Sequence, residues 1–193
     1  MAGFAIADGR WDFAAAIVTA FNGFCRPSEL LFAARDCVFD FTRGVVIVNL
    51  GLTKGGKRAG APEQVAIDDD VAFALLERQL HGKPAGTALL PRGLQEFRAA
   101  FKHYVNVCGF DPSVYKPYSI RRGGATHHFR MAGNLSATTE RGRWRSKATA
   151  KIYITEGVAL VADAAITPRQ RAQLDRGREL LIKHAMALSR QRG

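Results

Sequence analysis

The stretch from 118 to 153, YSIRRGGATHHFRMAGNLSATTERGRWRSKATAKIY, decides how this chain is read. Arg121 precedes Trp144 by 23 residues, and Trp144 precedes Tyr153 by nine. The stretch reads as helices around Ser119–Ala132, Leu135–Arg141 and Lys147–Ile154. Upstream, Glu29 follows Arg26 by three residues and Lys54 follows it by 28. Two arginines, a lysine, an indole and a phenol make little sense as a hydrophobic core.

Working outward, the N-terminal part predicts a helix over Trp11–Gly23 that is apolar nearly all round and therefore buried. Pro27 suits the first position of a second helix, PSELLFAAR, where its missing N–H costs nothing. CVFDF, a turn at Thr42–Gly44, and VVIVNLGL are rich in β-branched and aromatic residues and predict a hairpin. TKGGKRAG is a second, glycine-rich turn carrying three cations, and EQVAI is the third strand. A helix begins near Asp68, where the acidic run suits an N-terminus. Another spans about Gly93 to Val107. Thr167 caps a last helix that opens at Pro168 and ends near Ser189. The expected fold is mixed α+β, mainly α-helical, with a small three-stranded antiparallel sheet that has a basic tip.

The chain has 193 residues, 47% hydrophobic and 23% charged, which is globular rather than disordered and enough for one domain. Its formal charge is +11, which favours a polyanionic partner, because each neutralised phosphate releases counterion. Cys25, Cys37 and Cys108 are odd in number and lack metal spacing, so they read as buried thiols in an intracellular, reducing compartment. The apolar run from Phe13 to Phe24 is too short for a membrane span and lacks the flanks of a signal peptide. His127 and His128 are adjacent rather than at ligand spacing, so no metal and no cofactor are expected.

Taken singly, each candidate has a plain structural reading. Tyr153 can be a half-buried core phenol, Trp144 a packing anchor, and Arg26 and Arg121 salt-bridge residues with Glu29 as partner. The ordered set reads differently. CRPSELL resembles the first arginine box of the tyrosine recombinase (phage integrase) catalytic domain, with Arg26 as its arginine and Glu29 as the buttressing acid. YSIRRGGATHHF resembles the second box, with Arg121 in the arginine place and Tyr118 where histidine is usual. GRWRSKATAKIY resembles the third, with Trp144 at the His/Trp place and Tyr153 at the nucleophile place. Lys54 takes the place of the catalytic lysine, with Lys57 in the same turn as its competitor.

The resemblance covers roughly residues 11–155 and implies the catalytic-core fold shared with type IB topoisomerases. It divides the chain into a catalytic domain, 1–156, and a C-terminal tail, 157–193, which either packs on its own chain or docks on a neighbouring protomer. The implied chemistry is attack of the Tyr153 oxygen on a DNA phosphodiester, giving a 3′-phosphotyrosine and a free 5′-hydroxyl. Arg26, Arg121 and Trp144 would donate hydrogen bonds to the non-bridging oxygens, and Lys54 would protonate the leaving oxygen. Tyr118 can donate a hydrogen bond but accepts a proton poorly at neutral pH. Lys57, Arg58, Arg122, Arg141, Arg143, Arg145 and Lys147 are expected to contact backbone phosphates, against the ordinary reading of a solvated cationic face. The expected partner is double-stranded DNA, bound by a homo-oligomer, with no membrane. The alternatives are a type IB topoisomerase activity or a non-catalytic DNA-binding relic of a mobile element.

Overall fold

A computed structural model describes residues 1–51, 53, 56 and 60–190, the last two by backbone only. Helix α1 (Ala2–Ala7) leads into α2 (Trp11–Asn22), whose Phe13, Ala14, Ala15, Ala16, Ile17 and Ala20 are all buried. This is the all-round apolar helix expected from the sequence, and α1 packs against it. Strands β1 (Cys37–Asp40), β2 (Val45–Gly51) and β3 (Glu63–Ile67) form an antiparallel sheet in that order. Val38 faces Ile47, and Ile47 faces Ala66. Val46, Val48, Val65 and Ile67 go to the core, whereas Val38 and Ile47 remain exposed, as period-two alternation requires. Asp40 accepts from the backbone N–H groups of Thr42 and Arg43, which closes the first turn.

The remaining described helices are α3 (Asp70–Leu80), α4 (Gly93–Val107), α5 (Tyr118–Ala132), α6 (Leu135–Arg141), α7 (Lys147–Tyr153), α8 (Glu156–Ala164) and α9 (Pro168–Arg190). Local capping explains most boundaries. Asp69 caps α3 through Ala72 N at 2.8 Å, Asn134 caps α6 through Ser136 N at 2.8 Å, and Ser146 caps α7 through Thr149 N at 3.2 Å. Gly133, at φ 61°, ends α5 in the left-handed conformation that glycine adopts without a Cβ penalty. The fold class is thus mixed α+β, mostly helical, with one small antiparallel sheet. No described helix is long and apolar enough to cross a membrane.

The segment PSELLFAAR departs from its expectation. Only a 3-10 turn forms over Pro27–Leu30, with a second over Ala34–Asp36. Leu30 and Phe32 are buried while Leu31 is 54% exposed, a period of two that a helix does not supply. The backbone instead pairs across the molecule, with Leu89 N donating to Phe32 O at 3.0 Å and Ala34 N to Thr87 O at 2.9 Å. Helix α1 is an addition that the sequence reading lacked. It forms the seat of α9: a Cβ on Gly3 would overlap the carbonyl oxygen of Gly177. The last helix therefore lies on α1 of its own chain, and Leu181 and Leu188 pack on the main core. Helix α8 roofs an apolar cavity of about 720 Å³ with Ala159 and Ala162 and exposes Val158, Leu160 and Val161.

Candidate active site

Two short segments meet on α5 at the candidate site. The first follows α2: the chain turns through Phe24, at φ 46°, and delivers Arg26 and Glu29. The second links α6 to α7 and carries Gly142, Arg143 and Trp144, with Arg143 at φ 55°. Phe24 and Arg143 are the non-glycine residues with positive φ among the described residues, and both lie here. Backbone strain of this kind clusters at functional positions.

Helix α5 can approach α2 because of Gly124, where a Cβ would overlap the Phe21 carbonyl oxygen. The close approach buries Arg121 to 1% exposure. Its Nη1 donates to the Phe24 carbonyl and its Nη2 to the Gly142 carbonyl at 2.9 Å, so it ties the two segments together. Trp144 is buried between aromatic neighbours, 4.7 Å from the Tyr153 ring and 6.1 Å from the Phe24 ring between centroids. The Arg121 guanidinium lies over both Trp144 and Tyr153, at 5.1 and 5.5 Å from the ring centres. Gly142 is required beneath the indole, because a Cβ there would overlap the six-membered ring of Trp144. The Tyr153 hydroxyl, at the end of α7, lies 2.6 Å from the Tyr118 hydroxyl at the start of α5.

Glu29 is the electrostatic centre. Its Oε1 lies 2.5 Å from Arg26 Nη1, and its Oε2 lies 3.0 Å from Arg143 Nη2 and 3.5 Å from Arg121 Nη1. It also accepts from the Arg26 backbone N–H at 2.8 Å. Glu63 adds a second carboxylate, 3.5 Å from Arg143 Nε. Three guanidiniums thus share two carboxylates, which leaves excess positive charge in a largely desolvated place. Burial, and then the nearby Arg26 charge, pull the Arg121 pKa below its ordinary value. Burial acts the same way on Arg26, but Glu29 outweighs it and raises that pKa. Burial and the Tyr153 hydrogen bond hold the Tyr118 phenol above its ordinary value. Trp144 Nε1 and Arg121 Nε are buried donors without a hydrogen-bond partner among the described residues. Excess positive charge and unused donors suit an anion.

The arrangement brings Arg26, Glu29, Tyr118, Arg121, Trp144 and Tyr153 together. Lys54, Lys57 and Arg58 lie outside the described residues. The outer cations divide into two groups. Arg122, Arg145 and Lys147 are exposed, with Arg122 donating to the Ile152 carbonyl. Arg141 and Arg143 instead turn into the protein. Arg141 holds the Asn22 carbonyl at 2.8 Å and Asp68 at 2.6 Å, and Arg143 holds the Gly23 carbonyl at 2.9 Å as well as Glu29. Sequence reasoning took both for phosphate contacts, since a string of arginines does not reveal which ones find internal acceptors. It also passed over Glu63 and the strained Phe24, neither of which carries a local signal. No family model, curated protein or solved structure matches the chain.

Proposed function

We propose that the chain is a tyrosine-recombinase-like DNA breaking and rejoining enzyme with the catalytic-core fold of that family. The observation that carries this reading is the stacking of the Tyr153 ring on Trp144 beneath the Arg121 guanidinium, beside Arg26. A phenol, two guanidiniums and an unused indole N–H then lie close together. In this reading Tyr153 Oη attacks the scissile phosphorus, a P–Oη bond forms, and the bond to the 5′ oxygen breaks. The phenolic proton departs to solvent or to a phosphate oxygen. The 5′ oxygen takes a proton from Lys54, with Lys57 as the alternative donor. Arg26, Arg121 and Trp144 stabilise the charge that gathers on the non-bridging oxygens. Tyr118, held neutral at pH 7, orients the Tyr153 hydroxyl rather than acting as a base.

One observation favours a second reading, DNA binding without cleavage. The terminal nitrogens of Arg121 already donate to the Phe24 and Gly142 carbonyls, and Tyr118 occupies the position of the usual histidine. A covalent-adduct assay separates the two. A pool of randomised duplexes, each with one nick, is incubated with the chain and digested with protease. The wild type is expected to leave a peptide–DNA adduct, and Tyr153→Phe is expected to abolish it with DNA affinity nearly unchanged. DNA binding without any adduct supports the second reading, and an adduct mapped to Tyr118 removes Tyr153 from its role.

A further inference from the structure

We infer that Thr126 is a positioning residue for the Tyr153 nucleophile, acting through the backbone at the end of α7, a role that rests on the proposed DNA cleavage reading. Helix α7 has little packing of its own to hold it. Of its 7 residues Ala150 is the buried one, and Ile152 is 63% exposed. Tyr153 is the last of them, so its carbonyl is among those that a helix leaves without an internal partner. Thr126 lies on α5 and is 4% exposed. Its hydroxyl donates to the Tyr153 carbonyl at 3.3 Å and accepts from the Thr155 N–H at 3.1 Å. One side chain thus uses its donor and an acceptor site to grip the chain on both sides of Ile154.

This is not the local bond a buried threonine usually makes. Thr138 and Thr139 each donate to the carbonyl four residues earlier, Asn134 at 2.9 Å and Leu135 at 2.6 Å. Thr126 instead bonds to a segment 27 and 29 residues later in the chain. It also completes a row. Tyr118, Arg122 and Thr126 recur every four residues along α5, which places them on one face of the helix. Each meets the end of α7: the Tyr118 hydroxyl lies 2.6 Å from that of Tyr153, Arg122 Nη2 donates to the Ile152 carbonyl at 3.3 Å, and Thr126 holds the Tyr153 carbonyl. Arg122 is exposed and Thr126 is buried, so the hydroxyl makes the firmer of the two backbone contacts. Tyr153 is thereby held at its oxygen by Tyr118 and at its backbone by Thr126, on the helix that also carries Arg121. Loss of the Thr126 hydroxyl frees the Tyr153 carbonyl and the Thr155 N–H together and lets the last turn of α7 fray. Tyr153 then moves while every proposed phosphate contact keeps its place.

The test uses the full chain and two variants. Thr126→Val keeps the shape of the side chain and removes the hydroxyl, and Thr126→Ser keeps the hydroxyl. In the wild type the Thr155 amide is expected to exchange more slowly than those of Glu156 and Gly157, which open α8 without an intrahelical acceptor. That measurement needs no variant, so a folding defect in Thr126→Val does not remove the test. The Tyr153 ring, stacked 4.7 Å from Trp144, is expected to show proton resonances displaced by the indole ring current, identified by their loss in Tyr153→Phe. They are expected to move toward those of an unstacked tyrosine in Thr126→Val and to return in Thr126→Ser. On the nicked duplex pool, single-turnover adduct formation at saturating DNA is expected to slow about tenfold or more in Thr126→Val, since small misplacements near reacting groups carry such factors. The half-saturating DNA concentration is expected to stay unchanged, and Thr126→Ser to come within about threefold of the wild-type rate. An unprotected Thr155 amide, unmoved Tyr153 resonances, a wild-type rate in Thr126→Val, or a serine variant as slow as the valine one overturns the role of Thr126. Failure of the wild-type chain to form adduct overturns the cleavage reading instead, and the amide and ring measurements still decide whether Thr126 holds the end of α7.

Discussion

Tyr118 and Tyr153 share a hydrogen bond of 2.6 Å between hydroxyl oxygens, although they lie 35 residues apart and belong to different helices. One phenol donates and the other accepts, which gives the Tyr153 hydroxyl a defined orientation. Tyr118 is 38% exposed, which leaves the pair open to solvent on one side, while Trp144 and Arg121 close the other. A phenol is protonated across the neutral range, and burial and this bond move the Tyr118 pKa further upward.

Replacing Tyr118 separates orientation from proton transfer. Tyr118→Phe is expected to slow adduct formation by Tyr153 without changing DNA affinity. Tyr118→His is expected to raise the rate about tenfold or more at pH 7–8, because imidazole accepts a proton in that range. Wild-type rates in both the phenylalanine and the histidine variant, measured by single-turnover adduct formation, would remove Tyr118 from the chemistry and leave it a packing role.

The arginines divide into two experimental classes. Alanine at Lys147 or Arg122 is expected to leave thermal stability within about 0.5 kcal/mol and to reduce the slope of log K against log salt by about one phosphate's worth. Arg141→Ala is expected to destabilise the fold by about 1–3 kcal/mol, since it strips a charged donor from the Asn22 carbonyl and Asp68. Denaturant titration and salt-dependent binding on the same variants check both halves. A stable Arg141→Ala with a reduced salt slope would contradict the internal role.

The crossing of α1 and α9 is testable through its glycines. A Cβ at Gly3 meets backbone, the Gly177 carbonyl, whereas one at Gly177 meets the ring of Phe4. Backbone yields less readily than a side chain, so Gly3→Ala is expected to cost more than Gly177→Ala, on the order of 1–3 kcal/mol. Limited proteolysis should then cut more readily between α8 and α9 in Gly3→Ala. If neither substitution affects cleavage or stability, the last helix is not seated on α1 in solution.

Alkaline pH probes the buried phenol of Tyr104. Burial and a 3.1 Å hydrogen bond to Asp8 push Tyr104 up to about 12. The folded pKa exceeds that of the unfolded chain, near 10. Its contribution is therefore fully present below about pH 10 and is lost as pH rises toward 12. Stability measured by urea titration should fall across that window, and Tyr104→Phe should flatten the fall. A wild-type profile that is level from pH 10 to 12 would contradict the assignment.

Much of this was legible in the residues themselves. The apolar run of α2, the alternation of β2, the acidic start of α3 and the cap Thr167 each depend on neighbours within a few turns of chain, where periodicity and capping operate, and the order of Arg121, Trp144 and Tyr153 is read directly along it. Whether Arg143 meets DNA or Glu29, whether Leu31 continues a helix or turns outward from a bridged segment, and whether α9 finds its seat on α1 were decided only by packing. In each case the partner is more than 50 residues away. A guanidinium carries the same charge whether it faces a phosphate or a carboxylate, so composition cannot distinguish the two. Burial does, because a desolvated arginine must find acceptors, and only the folded chain determines which acceptors lie within reach.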